Sequence, residues 1–374
     1  MPSWLKEGRG SLCGANVSLL LREMGITKPL LVAGERTKNV FFARTGMRLP
    51  VFDAFHPNPD LQDCVAGAAL YQEKGCDGLI SIGGGSAMDT AKGIKALLMT
   101  DIAHVRANQL PSEGNVPHLA IPGTAGTGAE TTAVAVLYED GQKLSVDHPA
   151  LLPDGVLLDG SLLDTLPEYH RKSCAMDALA QGIESWWAKK ATPGSRIHAE
   201  CAIRGVLDNL TAYLQGDRKA QDEMLHAAYE SGVAILTTRT TAAHAMSYQI
   251  TKKLGAAHGH ACMLTLPHLW AHLAAQAEYQ PMLTELSRIL GGEKPMDGAI
   301  LLKGLLAVLE LDKIPMPDDA TLDMLAASVN PERLGNHPEA LTTAQLRAIY
   351  VQAFTPMTDT ERAEAIAAWE QYGK

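Results

Sequence analysis

The stretch "DGLISIGGGSAMDTAKGIKALLM", residues 77–99, constrains the fold more than any other part of the chain. An apolar run ends in three consecutive glycines and passes without a linker into residues with helical spacing. A strand that turns on glycine into a helix is half of a parallel βα unit, the kind of sheet that is covered by helices on both faces. The same alternation surrounds it. "PLLVAGERT" reads as a strand entering a turn, "DLQDCVAGAALYQEKGC" has helical spacing, and "HLAIPGTAGTGAE" is another strand followed by a Gly/Thr-rich turn. Residues 1–160 therefore read as an α/β domain with a Rossmann-like parallel sheet.

The chain is 374 residues long, too long for one ordinary core, and its character changes near residue 168. "ALLPDGVLLDGSLLDTLP" is an extended, Pro- and Gly-punctuated boundary. Beyond it, "YHRKSCAMDALAQGIESWWAKKA", "SRIHAECAIRGVLDNLTAYLQG" and "KAQDEMLHAAYESGVAILTTRTTAAHAMSYQI" carry apolar residues three and four apart. Residues 161–374 are expected to form an all-α helical domain. The net charge of −10 argues against nucleic acid or an anionic membrane as partner. The six cysteines are scattered, with no C-x-x-C pair, which suits reduced thiols in a cytoplasm. "MPSWLKEGRGSL" lacks the apolar core of a signal peptide, and no run of about eighteen apolar residues spans a membrane. A cytoplasmic location is expected.

Gly83, Gly84, Gly85 and Ser86 let a backbone approach a bound group closely, and the N–H groups at a helix start favour phosphate. A tight turn that binds nothing fits the glycines equally well, and the pattern is not G-x-G-x-x-G. A second polar turn after the next strand, with Thr124, Gly126, Thr127 and Gly128, shifts the balance. Two such turns at neighbouring strand ends form the crevice where open α/β sheets bind nucleotides. Asp89, one turn into the helix, is placed to reach a ribose or the nicotinamide end.

In the second half, Asp177 and Gln181 stand four apart on one helix face, and His244 and His258 follow in order. Carboxylate, amide oxygen and imidazole together suit a divalent metal.

Taken together, these motifs resemble the iron-dependent (group III) alcohol dehydrogenases over nearly the whole chain. "HPNPD" with Asn58 resembles that family's N-P turn. "GGGSAMDTAK" resembles G-G-G-S-x-x-D-x-x-K, and "GTAGTGAE" resembles T-T-A-G-T-G-S-E. "MDALAQGIES" resembles D-A-L-x-H-x-x-E, and "HAM…HGHA" resembles the paired metal histidines. The resemblance implies an N-terminal dinucleotide-binding domain, a helical C-terminal domain, a metal in the cleft between them and a homo-oligomer, such as a dimer. Carried over, the metal ligands are Asp177, Gln181, His244 and His258, with Fe²⁺ or Zn²⁺ as the ion. The cofactor-facing positions are Gly34, Asn58, Gly84, Gly85, Ser86, Asp89, Thr124, Thr127 and Lys143.

The departures from the family pattern point at the substrate and at the metal. Gln181 stands where most members have histidine, which implies a retained but weakened metal site. Tyr248 replaces a second histidine, and "TTRTTAA" replaces a small, often glycine-rich stretch before His244. Arg239 among threonines suits an anion, unless it serves only to cap or pair within the bundle. Within the family the chain is most similar to the phosphonoacetaldehyde reductase branch. The expected function is an NAD(P)H-linked, metal-assisted reductase of a small anionic aldehyde, with Arg239 holding the anion and Tyr248 or a water relayed through His260 delivering the proton. A reductase of neutral aldehydes, a metal-dependent lyase and a metal-free nucleotide-binding protein are the alternatives. NADPH is expected over NADH, because Gly34 replaces the aspartate that holds the ribose in NAD-preferring members. Arg36, Thr37 and Lys38 follow, with Glu35 as the opposing charge.

Overall fold

The computed structural model describes residues 6–112 and 115–372, so the N-terminal "MPSWL" lies outside the described residues. The chain divides into two compact units, one ending at Thr165 and one starting at Leu166.

The first unit runs β1 (Lys6–Arg9), α1 (Gly14–Glu23), β2 (Pro29–Ala33), α2 (Glu35–Thr45), β3 (Val51–Phe52), α3 (Leu61–Lys74), β4 (Gly78–Gly83) and α4 (Gly85–Met99). There follow α5 (Ile102–Arg106), β5 (His118–Pro122), β6 (Val134–Glu139), β7 (Gln142–Asp147) and β8 (Gly155–Leu158). Six strands form an all-parallel sheet in the order β1-β8-β5-β4-β2-β3. Alternation along β2 sends Leu30 and Val32 to one face and Leu31 and Ala33 to the other, and all four are fully buried. One face packs Leu61, Cys64, Ala91 and Ile94 of α3 and α4, and the other packs Val17, Leu20 and Phe41 of α1 and α2. The expected α/β sheet is present. The "ALLPDGVLLDGSLLDTLP" segment, read as a boundary, contains the division after Thr165 and also supplies β8, which pairs with β1 and β5 inside the sheet. The sequence reading did not foresee the antiparallel β6–β7 hairpin. Its two-residue Asp140-Gly141 turn has both residues at positive φ, 50° and 71°, the geometry an Asp-Gly pair favours.

In the second unit every named element is a helix. α6 (Glu168–Trp187), α7 (Pro193–Leu214), α8 (Arg218–Thr238), α9 (Ala242–Gln249) with a π-helical turn at Ile250–Leu254, and α10 (His258–Ala274) build the part that carries chemistry. α11 (Gln280–Ile289), α12 (Asp297–Val308), α13 (Asp319–Ala327), α14 (Pro331–Leu334), α15 (Thr343–Phe354) and α16 (Asp359–Tyr372) complete it. Among the described residues no helix is long and apolar enough to cross a membrane.

Lys92, inside α4, shows how the first unit holds its turns. Its side chain is fully buried, and the ammonium donates to the carbonyls of Ala129 (2.7 Å) and Val134 (3.0 Å) and to Thr132 Oγ1 (3.1 Å). Burial pulls its pKa down to about 8, against the opposing charges of Asp89 and Glu130. Lys92→Met removes a donor from two buried carbonyls, which lose their partner without gaining water. Chemical denaturation should show a loss of about 2–4 kcal/mol in stability.

Candidate metal centre and nucleotide turns

The sheet order sets the nucleotide site. β3 lies on one side of β2 and β4 on the other, so the chain reverses direction across the sheet between β2 and β4. Ligands of open α/β sheets bind outside the strand ends at such a switch point. Gly34 ends β2 there and Gly83 ends β4. A Cβ placed on Gly84 would stand 3.2 Å from Thr124, and one on Gly85 would stand 3.5 Å from Thr127. Asn58, at φ 57°, donates its N–H to Ser86 Oγ (3.2 Å). No side chain caps the N-terminus of α4, which leaves its leading N–H groups to a bound anion. Gly84, Gly85, Ser86, Asn58, Thr124 and Thr127 therefore converge. Burial pushes the half-buried Asp89 carboxyl up to about 6, with Lys92 and Lys143 pulling it back, so Lys143 is close enough to act on the same corner. These residues fit the phosphates and sugars of a dinucleotide.

Gly34 also has open space where a side chain would be. The neighbouring cations are engaged: Lys38 pairs with Asp53 (2.5 Å) and Arg36 with Thr165 Oγ1.

In the second unit α10 meets α6 at Gly259. A Cβ there would lie 2.0 Å from the Ser173 carbonyl oxygen and 2.6 Å from Asp177 N, so only glycine allows the approach. That contact sets His258 beside Asp177, and the break between α8 and α9 brings His244 to the same place. His244 Nε2 lies 3.3 Å from Asp177 Oδ1 and His258 Nε2 lies 3.9 Å from it. The two imidazoles meet edge to face, with ring centroids 5.2 Å apart.

Each ring is fixed from behind. His244 Nδ1 bonds to Glu184 Oε2, and that buried carboxylate also accepts from Thr241 N (3.1 Å), Thr241 Oγ1 (2.5 Å) and Ala243 N (2.9 Å). His258 Nδ1 meets Ser247 Oγ at 3.2 Å, and the Ser247 hydroxyl donates to the His244 carbonyl. Both rings thereby turn Nε2 towards the cluster, and with Nδ1 held it is the nitrogen that a metal would take, the arrangement that metal-binding histidines use. Burial pushes the Asp177 carboxyl up, but the imidazoles of His258 and His244 outweigh it and hold the group below the usual carboxylate range. His258 is 38% exposed and Asp177 4%, so the cluster opens to solvent on the His258 side. The donors and their backing fit a divalent ion.

The structure departs from the sequence reading at two expected site residues. The Gln181 oxygen accepts from Ser231 Oγ (2.8 Å), and its NH₂ group faces Asp177 Oδ1 at 3.4 Å, so the amide turns its donor edge to the cluster. His260 is two residues along the helix from His258, on nearly the opposite face. It links Tyr169 OH (3.1 Å) to the Leu311 carbonyl (2.8 Å), which commits both ring nitrogens and removes it as a relay. Tyr248 does lie beside the cluster, its ring parallel to His258 within 8° and 6.2 Å away. Arg239 is half-buried at the C-terminus of α8.

Sequence reasoning missed two residues. Glu184 lies inside "MDALAQGIES", where nothing in the spacing marks it as a partner of His244. Cys262 was counted among scattered thiols, although its spacing of four from His258 puts both on one face of α10. Asp177, His244, His258 and Cys262 offer donor atoms that all lie within 4.8 Å of one another. Burial opposes ionisation of the Cys262 thiol, yet the charges of His244 and His258 bring its pKa down to about 7.

Residues 3–160 match the family described as iron-containing alcohol dehydrogenase, and residues 172–354 match the C-terminal part of the Fe-containing alcohol dehydrogenase family. The chain belongs to the iron-containing alcohol dehydrogenase family. It is 34% identical over 251 residues to the probable alcohol dehydrogenase EutG of Escherichia coli (strain K12), covering 65% of this chain and 60% of that protein. It is 36% identical over 228 residues to the phosphonoacetaldehyde reductase of Streptomyces viridochromogenes, covering 57% and 58%. The matched stretch is thus less than two thirds of either relative's length. The solved structure of sulfoacetaldehyde reductase from Bifidobacterium kashiwanohense in complex with NAD+ aligns with a TM-score of 0.85 at 26% identity, over 95% of this chain and 97% of that one.

Glu184→Gln should leave the helices in place but weaken the hold on His244. Competition with a chromophoric chelator is expected to show divalent-metal affinity lowered by about 10–100-fold.

Proposed function

We propose that the protein is an NAD(P)H-linked, divalent-metal-assisted reductase of a small aldehyde that carries an anionic group, of the phosphonoacetaldehyde type. The convergence of Asp177, His244 and His258, with both imidazoles aimed forward by Glu184 and Ser247, carries the reading. When bound, the metal supplies a Lewis acid for the carbonyl and the nicotinamide supplies hydride. The chain's residues do the rest. Asp177 and the two histidines hold the ion, and the open side at His258 admits substrate. Tyr248, stacked there, is the residue we assign to give the oxygen its proton, since His260 is committed elsewhere.

The backbone of Arg239 supports the anionic substrate. It sits at φ 62° and ψ 178°, a region that is essentially glycine-only and costs about 1–3 kcal/mol for any other residue. Glycine would remove that cost at once. The Arg239 guanidinium donates to the Leu236 carbonyl (3.4 Å), and recognition of phosphonate or carboxylate is the further work that its chemistry suits. Two relatives are named for aldehydes of this kind, phosphonoacetaldehyde and sulfoacetaldehyde.

Arg239→Gly is therefore expected to act in opposite directions on stability and activity. The variant should unfold about 1 kcal/mol later, because strain is released. Its kcat/KM should fall at least about tenfold on phosphonoacetaldehyde, with little change on butanal. An equal loss on both aldehydes would make Arg239 structural and favour a neutral substrate.

For the coenzyme, the open space at Gly34 supports NADPH, with Lys38 exchanging Asp53 for the 2′-phosphate. Lys38→Ala should lower kcat/KM for NADPH and leave NADH unchanged. Strong preference for NADH in the unaltered protein would reject this reading.

A further inference from the structure

Position 181 lacks the histidine of the family pattern, and its amide oxygen is held by Ser231, 50 residues along the chain. A site built from Asp177, His244 and His258 alone would be one protein donor short. The missing donor is supplied from another helix. Cys262 is fully buried, and its Sγ stands 3.9 Å from His258 Nε2, on the metal-facing nitrogen rather than on the nitrogen that Ser247 holds. All four donor atoms lie within 4.8 Å of one another. Around an ion with bonds of the usual length, neighbouring donors lie about 3.3–3.6 Å apart, so the cluster would contract onto the ion, and a fifth position remains for the substrate oxygen.

We propose that Cys262 is the fourth protein ligand of this metal centre, in place of the histidine absent at position 181. The proposal rests on the reading of the site as a metal centre. The thiol binds as thiolate and its proton passes to solvent. His258 and Cys262 then form an i, i+4 pair on α10 that faces Asp177 on α6, so two rigid helices and the α9 histidine share the ion. A thiolate also moves the preference of the centre away from Fe²⁺ and towards Zn²⁺.

Titration of metal-free protein with Co²⁺, followed by absorption spectroscopy, tests it without recourse to activity. One Co²⁺ per chain should bind and produce a thiolate-to-cobalt charge-transfer band in the near ultraviolet. The band should persist in Gln181→Ala and vanish in Cys262→Ser, and Cys262→Ser should weaken Zn²⁺ binding by more than about tenfold. The unaltered protein already decides the matter, whatever the variants do to folding. Stoichiometric Co²⁺ without the band would overturn Cys262 as a ligand and leave the metal centre standing. A band that persists in Cys262→Ser would come from another thiol and would overturn Cys262 as the ligand. Absence of Co²⁺ binding would overturn both the ligand and the metal reading.

Discussion

The Glu184 carboxylate is the interaction on which the second unit's chemistry depends. It is fully buried on α6 and meets Thr241 N, Thr241 Oγ1, Ala243 N and His244 Nδ1. The first three fix the chain where α8 stops and α9 starts. The fourth fixes the ring that faces Asp177. A buried carboxylate is tolerable only when its oxygens are satisfied, and here the groups that satisfy it are those that must be held still. The interruption between α8 and α9 is therefore the origin of the His244 position. A continuous helix through Arg239 would carry His244 elsewhere. Asn336 reinforces the interruption by donating to the carbonyls of Thr238 and Thr240.

Much of the fold was legible because its signals are local. "LISIGGG" and "HLAIPG" show buried strands ending in glycine, and α4 begins on the last of the three glycines, Gly85. The helical character of the second half follows from its spacing. Where "TTRTT" breaks the helix does not, since threonine and arginine are ordinary helix residues and the break is imposed by Glu184 and Asn336 from far along the chain. β8 was hidden for a similar reason. Its "GVLL" is too short to declare itself, and only pairing with β1 and β5 makes it a sheet strand.

The site was legible in its anchors and illegible in its details. Asp177, His244 and His258 converge, and the nucleotide turns meet where Gly84, Thr124 and Thr127 were expected to meet. Sequence spacing could not show that Ser231 holds the Gln181 oxygen, or that the Leu311 carbonyl turns His260 aside, because both partners are distant in the chain. Lys92 is the instructive intermediate. It closes the "GGGSAMDTAK" stretch, and its ammonium is spent on three neighbours within the protein. It ties the helix after one turn to the backbone beyond the next, so the two turns move as one body.

The contact at Gly259 has a kinetic side. Backbone lies on backbone between α10 and α6, with no flexible side chain to yield. Asp177 and His258 are borne by these two helices, so the spacing of their donors is set by main chain rather than by rotamers alone. An ion bound there would come and go through the solvent-open side at His258. A change that loosens this one seam would spread the donors, and so would quicken exchange even where every donor atom is intact.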